Sequence, residues 1–439
     1  MHTSLLYNKV MKKRIFGSLL LGAICLSASA QSGTNSPYSQ YGLGVLSDQS
    51  QGFNRGMNGL GYGLRSGKSV NVLNPASYSS IDSLTMLVDM GLSLQLTNFK
   101  DKGTKVNAKN ANFEYAVASF RLFPKFGLSA GIIPYTNIGY NYSFKEKVGT
   151  STTTTTQTHS GEGGLHQAFL GMGWNMFAGL SIGVNASYLW GSYRKSLSVT
   201  ADDANVNTIT KEYKTSISSY KIDLGMQWEQ KLGKNDAFVI GAAVGLRHKL
   251  GADATVSIKN VNSLTSVTQT TTDTVANAFS IPLTIGGGIS YRHSNKWLVG
   301  VDYSMQKWGE LYFPVINEDT QKYSLTKGRL RDRSKFTVGG EWTPDAYDSR
   351  RFLNRVHYRI GASYATPYYN IGNVKGPSEI SVSAGFGIPI FNTWNNRSYL
   401  NVSAQWTHTS AKNLIVENTF RINVGLTFNE RWFQKWKVK

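Results

Sequence analysis

The sequence predicts an all-β protein, a transmembrane antiparallel β-barrel of about 14 strands with an N-terminal plug. From residue 83 onwards, apolar and polar residues alternate with a period of two. These runs are roughly ten to twenty residues long, whereas strands of soluble sheets usually have about 5–6 residues. Aromatic residues lie near the ends of the runs, and short connections alternate with longer polar ones, as in membrane barrels.

The composition excludes several other classes of protein. Only 16% of the residues are charged, whereas 12% are aromatic and 44 are glycine. An average soluble domain has roughly 25% charged residues. The many aromatic side chains exclude a disordered chain, and a mean hydropathy of −0.26 argues against a helical membrane protein. A large soluble all-β protein and a membrane barrel remain, and the length of the runs favours the barrel.

The N-terminus is predicted to be a signal peptide over residues 1–30. A basic stretch at Lys12–Arg14 precedes an apolar run, and Ala30 ends a small-residue cleavage site. Residues 1–30 contain four basic residues and no acidic one, so cleavage would lower the net charge from +20 to +16. It would also remove Cys25, the only cysteine, so we expect an exported chain without disulfides or thiol chemistry.

Three further segments follow the predicted signal peptide. Residues 31–82 are glycine-rich and do not alternate, which favours a plug folded into the barrel mouth. The barrel is predicted over residues 83–429, and residues 430–439 form a basic and aromatic periplasmic tail. The predicted strands cover residues 83–98, 112–122, 127–144, 165–174, 179–200, 208–230, 237–259, 276–292, 296–307, 323–343, 355–366, 378–390, 398–409 and 414–428.

Five short motifs occur along the predicted mature chain. They are SPYSQYG at 36–42, NPA at 74–76, IPY at 133–135, YLWG at 188–191 and GLTFNERWF at 425–433. With these motifs the sequence resembles the FadL-like outer-membrane transporters of hydrophobic compounds, in the branch found in Bacteroidota. The resemblance implies a fourteen-stranded barrel with an N-terminal hatch. It also implies passive uptake of fatty-acid-like molecules through a gap in the wall, opened by a kink in the third strand, without a cofactor.

Two candidate sites for that mechanism can be named. Pro134 lies inside the predicted third strand, where proline cannot donate to the ladder, and Gly131 loosens the same stretch. Both are candidates for a lateral gap, although a bulge that only adjusts the barrel shape is an equal alternative. The hatch motif, Asn74, Pro75 and Ala76, has the turn chemistry that delivers a chain into a strand. Its role as a moving hatch is implied by the resemblance alone.

Charged residues recur at positions expected to face the lumen: Lys221, Asp223, Arg247, Asp302, Glu341, Arg359 and Arg421. Charges in a narrow lumen must pair, so a lattice of ion pairs that holds the plug to the wall is one interpretation. The other is that Arg359 or Arg421 receives the head group of an amphipathic acid, because arginine suits carboxylates.

The C-terminal strand carries Asn423, Gly425 and Phe428, which resemble the signal read by the barrel-assembly machinery. Glu430 stands where a second aromatic residue is usual, so the match is partial. The positive charge and the terminal tryptophans favour outer-membrane lipid and lipopolysaccharide as partners, and no nucleic-acid module is present.

No enzymatic motif or metal site is recognisable. Gly67-Lys68-Ser69 lacks the earlier glycine of a phosphate-binding loop, because Tyr62 stands in its place. The histidines are scattered without metal-ligand spacing. We therefore predict a non-enzymatic barrel that takes up hydrophobic or amphipathic small molecules. The alternative is a FadL-like subunit of an outer-membrane protein assembly or secretion complex that transports nothing, with the barrel-assembly machinery as its partner.

Overall fold

A computed structural model describes residues 33–83, 85–149, 153–177, 179–317, 322–348, 350–390 and 398–431, with the backbone alone for residues 430 and 431. The predicted signal peptide and residues 432–439 lie outside the described residues. No helix in the described ranges is long and apolar enough to span a membrane.

Fourteen antiparallel strands form a closed barrel, which confirms the predicted fold class and strand count. The strands are β1 (Thr85–Asp101), β2 (Thr104–Phe123), β3 (Phe126–Lys147), β4 (Thr154–Asn175), β5 (Leu180–Ala201), β6 (Thr208–Leu232), β7 (Asp236–Gly245), β8 (Thr284–His293), β9 (Trp297–Gln306), β10 (Arg333–Trp342), β11 (His357–Ala365), β12 (Ser378–Ile390), β13 (Ser398–Ser410) and β14 (Val416–Arg431). Each strand pairs with the next, and β14 returns to β1 with Ile422 opposite Leu94. Because β14 pairs with β1, neither strand has an unpaired edge at this seam.

The outer face of the barrel is apolar and the inner face is polar or glycine. On β9, Val299 and Val301 are exposed on the outside, whereas Asp302 is buried on the inside. Aromatic residues lie at the borders of the outer band. Near the end where the first strand begins, here called the turn end, the ring centroids of Trp297 and Trp342 are 5.8 Å apart. This arrangement is typical of interfacial girdles.

At the opposite end, here called the loop end, several strands differ from their predicted bounds. β3 and β4 continue as a hairpin to Lys147 and from Thr154, through residues predicted to be loop. Their backbones stay paired beyond the apolar band, where polar residues on both faces give no alternation signal. The predicted strand 237–259 breaks after Gly245, and β6 pairs first with β7 and then with a separate strand, Ala254–Val261. The predicted strand 323–343 is likewise divided.

The remaining short elements lie mostly at the loop end. They are the strands His248–Lys249, Ala254–Val261, Thr268–Val275, Ser280–Ile281, Phe313–Ile316, Tyr323–Thr326, Asn370–Ile371 and Val374–Lys375, and the 3-10 helices Trp308–Glu310 and Phe352–Arg355. A cluster of buried side chains closes this end of the barrel. It is rich in aromatic residues and includes Tyr38, Tyr193, Phe279, Trp308 and Tyr368.

Residues 33–83, here called the lumen segment, lie against the inner face of the wall. The segment contains the 3-10 helices Pro37–Gln40 and Pro75–Ser80, the two-residue strand Val45–Leu46 and one helical turn at Gly52–Arg55. Proline at the first position and the side chain of Asn74 as the N-cap explain where the second 3-10 helix begins.

Inward-facing glycines of the wall make room for this segment. A Cβ atom at Gly241 would lie 1.8 Å from the carbonyl oxygen of Tyr62, and one at Gly127 would lie 2.0 Å from that of Tyr78. A Cβ at Gly183 would lie 2.4 Å from the carbonyl carbon of Pro75. The backbone of the segment therefore touches the backbone of the wall, which only glycine permits.

Candidate functional site: the barrel lumen and a break in its wall

A buried ion pair attaches the lumen segment to the wall. The guanidinium of Arg55 lies 2.9 Å from the carboxylate of Glu114 on β2, and the two side chains are 3% and 8% exposed. Arg55 also donates to Asn423 on β14 and to the carbonyl oxygen of Ser50. Such a buried charge is stable only because its hydrogen bonds are made. Sequence reasoning missed both members of this pair, because they are 59 residues apart in the chain.

The hatch motif is fully buried against the wall. The side-chain nitrogen of Asn74 donates to the carbonyl oxygens of Tyr62, Met226 and Ala242, at 2.9, 3.1 and 3.2 Å. Its side-chain oxygen accepts from the backbone N–H of Ala76 at 3.1 Å. One asparagine thus joins the segment to β6 and β7 and also caps the 3-10 helix. The motion of this motif as a hatch stays a prediction.

Three of the predicted lumen charges, the buried Asp302 and Arg359 and the half-buried Glu341, have hydrogen-bond partners inside the barrel. Asp302 accepts the backbone N–H groups of Gly61 and Tyr62, at 2.6 and 2.9 Å, so it binds the lumen segment directly. Arg359 donates to Glu341 and to Asn401, each at 2.6 Å.

His357 also contacts Glu341. The guanidinium of Arg359 lies over the ring of Phe53, 4.8 Å from its centroid. These groups form a structural network in which Nε and Nη1 of Arg359 are already engaged.

Of the other four predicted lumen charges, Lys221 and Asp223 are half-buried and pair with each other, whereas Arg421 and Arg247 lie apart from both groups. Arg421 lines the main cavity and donates to Gln95 at 2.9 Å. Arg247 was predicted to be a lumen charge, but the structure does not place it among the buried lumen charges. β7 ends at Gly245, and Arg247 is half exposed beyond it, where it pairs with the exposed Glu310 at 3.1 Å.

The wall is interrupted between β2 and β3. Their ladder ends where Ala116 pairs with Ile132, one residue before Ile133-Pro134. Pro134 lies at a register shift against β4, and its carbonyl oxygen accepts from Gln49 of the lumen segment at 2.9 Å. Gly131, the other gap candidate, still pairs with Val117. The break begins beside the proline, which cannot donate to a ladder.

The lumen segment itself fills this break. Val45 pairs with Asn137 and Leu46 with Thr136, so the segment takes the place beside β3 that β2 has left. On the other side of the break, the side chain of Asn112 on β2 donates to the carbonyl oxygen of Gly33 at 2.9 Å. The segment therefore pairs with β3 and contacts β2 inside the break, a feature that no sequence pattern indicated.

The main cavity of the lumen, with a volume of about 280 Å³, lies between the segment and the wall. Most of its lining is polar, including Asp48, Asp302, Lys335, Glu379 and Arg421 together with rows of serine and threonine. The aromatic cluster of the loop end adjoins it through Tyr38 and Tyr368. The polar side chains give this cavity partners for water or for a polar group of a ligand.

The three residues predicted to form the C-terminal strand signal lie on β14. Asn423 faces the lumen and binds Arg55, and a Cβ atom at Gly425 would lie 3.2 Å from the backbone of Gly52. Phe428 is exposed on the outer face. No three His, Cys, Asp or Glu side chains of the described ranges form a group that could hold a metal ion.

Several solved structures share this fold. The CymD monoaromatic hydrocarbon channel is 13% identical and aligns with 90% of this chain and 99% of its own, with a TM-score of 0.59. The toluene transporter TbuX of Ralstonia pickettii is 14% identical and aligns with 88% and 99%, with a TM-score of 0.60. A FadL homologue of Pseudomonas aeruginosa is 10% identical and aligns with 88% and 99%, also with a TM-score of 0.60. A search of the curated proteins found no match.

The chain has the fold of the FadL-like β-barrels, as the resemblance implied. The sequence matches the family model described as BamG over residues 11–439. The chain belongs to the BamG family.

Proposed function

We propose that this barrel is a non-transporting integral subunit of an outer-membrane protein-assembly complex. The observation that carries the proposal is the occupied lumen. The segment is held by Arg55, Asn74 and Asp302, and it pairs with β3 at the β2–β3 break. The remaining cavity, of about 280 Å³, is lined by many polar and charged side chains. The family description, BamG, carries the designation of the barrel-assembly machinery, which supports that machinery as the partner.

Purification in a mild detergent tests this proposal. We expect a tagged chain, extracted from outer membranes and analysed by mass spectrometry, to retain stoichiometric proteins of the barrel-assembly machinery. Subunits of one assembly share buried contacts that survive gentle extraction. A chain that elutes alone, with lipid or a small apolar molecule as its only companion, would contradict the proposal.

A second candidate function is passive uptake of amphipathic molecules. It is favoured by the β2–β3 break and by the similarity of the fold to solved hydrocarbon channels. In this mechanism the ligand passes sideways between β2 and β3 after Val45 and Leu46 leave β3. Of Arg359 and Arg421, the two arginines predicted to receive a head group, Arg421 is the better placed, because it lines the cavity.

A disulfide across the break separates the two candidates. Val45 and Asn137 are direct register partners, and such pairs have Cα distances of about 4.5–5.5 Å, within the range of a disulfide. In a Val45→Cys/Asn137→Cys variant, oxidation should leave complex formation unchanged if the barrel is a subunit. If it is a transporter, oxidation should abolish uptake of a labelled fatty acid into cells, and a reductant should restore uptake. The matched control is the Val45→Cys single variant under the same oxidant.

A further inference from the structure

One connection at the turn end differs from its neighbours. The turns after β2, β4, β6 and β8 are short, whereas the connection between β10 and β11 is longer, and its described residues, 343–348 and 350–356, include the 3-10 helix Phe352–Arg355. Long turns are unusual at the end of a membrane barrel that carries the tight turns. We call residues 343–356 the β10–β11 loop.

A single carboxylate organises the tip of this loop. One oxygen of Asp348 accepts the backbone N–H groups of Arg350 and Arg351, at 2.7 and 3.1 Å, and the other accepts from the side chain of Asn354 at 2.6 Å. These hydrogen bonds hold the pKa of Asp348 below its usual value. The carboxylate is therefore ionised and used inside the loop, and the guanidinium groups of Arg350 and Arg351 are left for the surface.

The same loop exposes three large apolar side chains. Tyr347 is 76% exposed, Leu353 67% and Phe352 43%. Phe123, Phe177 and Leu232 are also exposed at other turns of this end, and Leu122 is 43% exposed beside Phe123. The β10–β11 loop thus has a concentration of apolar surface beside two exposed arginines.

The loop continues the aromatic girdle towards the aqueous side. The hydroxyl of Tyr358 donates to the carbonyl oxygen of Leu353 at 3.1 Å, and the ring centroids of Tyr358 and Trp342 are 5.4 Å apart. The exposed apolar side chains of the loop therefore adjoin the aromatic girdle at Trp342 and Tyr358.

From this surface we propose that the β10–β11 loop docks a protein partner that presents carboxylates around an apolar pocket at the turn end of the barrel. Tyrosine and arginine are the residues most enriched at binding hot spots, and a preorganised loop loses little entropy when it binds. The two arginines would pair with carboxylates on the rim of the partner's binding site. Tyr347 and Leu353 would fill the apolar pocket inside that rim. The inference rests on the proposed function, because it names the surface by which the subunit joins its complex.

Two variants with a matched control test the docking surface. Tyr347→Ala/Leu353→Ala removes the apolar anchors, and Arg350→Glu/Arg351→Glu reverses the two exposed charges. Lys231→Glu/Lys234→Glu makes the same charge change at the exposed β6–β7 turn of the same end. The measurement is the amount of protein that stays with the purified chain at increasing salt, with the heat-modifiability of the barrel as the check on folding. We expect both loop variants to lose tenfold or more of the partner, and the control to retain it.

The possible results distinguish a failure of the docking inference from a failure of the proposed function. If the wild-type chain retains its partner and both folded loop variants retain it equally, the docking inference is wrong while the proposed function stands. If the wild-type chain has no protein partner, both fail. A photo-crosslinking amino acid at position 347 should form an adduct with the protein that the variants lose. An adduct with phospholipid alone would overturn the inference and assign the loop to the membrane surface.

Discussion

The Arg55→Ala variant should be destabilised by about 3–5 kcal/mol, the range observed when one partner of a buried ion pair is removed. Glu114 would be left buried without its cation, and the lumen segment would lose its bonds to Asn423 and Ser50. The measurement is the urea midpoint of the folded band on unheated SDS gels, together with limited proteolysis. We expect cleavage within residues 33–83 while the barrel remains folded.

Two further variants isolate the buried charge. Glu114→Gln in the Arg55→Ala background removes the unpaired carboxylate, so it should recover part of the lost stability, with a clear departure from additivity. Arg194→Ala breaks an ion pair with Glu212 in which the arginine is mostly exposed, and such pairs contribute about 0–1 kcal/mol. If Arg55→Ala costs no more than Arg194→Ala, the ion pair does not hold the segment.

The Gly241→Ala variant should force the lumen segment away from the wall. The added methyl group would lie 1.8 Å from the carbonyl oxygen of Tyr62, where no side-chain rotation gives relief. Overpacking usually costs about 1–3 kcal/mol and more where backbones collide. We expect a folded barrel in which the bonds of Asn74 and Asp302 to this part of the segment are weakened. A cysteine placed in the segment would then react faster with a water-soluble maleimide.

Gly287→Ala is the matched control for this substitution. Gly287 lies on the neighbouring strand β8 and faces outwards, and its Cβ atom would meet nothing closer than an oxygen at 3.7 Å. The two variants make the same chemical change on opposite faces of one wall. Equal reactivity of the segment in both would show that the close contact at Gly241 is not needed for its position.

The strands were predictable because lipid on one side of the wall imposes alternation, as Val299, Val301 and Asp302 on β9 show. The extension of the β3–β4 hairpin beyond Lys145 was not predictable, because the two strands stay paired there without an apolar face that would produce alternation. Pro134 indicated where the ladder fails, but the sequence carried no sign that Val45 and Leu46 would fill the break.

Contacts in the lumen join residues that are far apart in the chain, which limits what a sequence pattern can reveal. Asp302 is 241 residues from Gly61. Its charge at an inward position could be predicted, whereas its partner could not. Arg247 had the right parity for the lumen, but its strand ends too early for parity to apply.

The break between β2 and β3 links the interior of the barrel to its exterior. Val45 and Leu46 pair with β3 at this place, so residues of the lumen segment take part in the hydrogen bonding of the wall. Any shift of the segment changes which backbone groups of β3 are left unpaired. The position of the segment and the pairing of the wall are therefore coupled, without any molecule passing through the barrel.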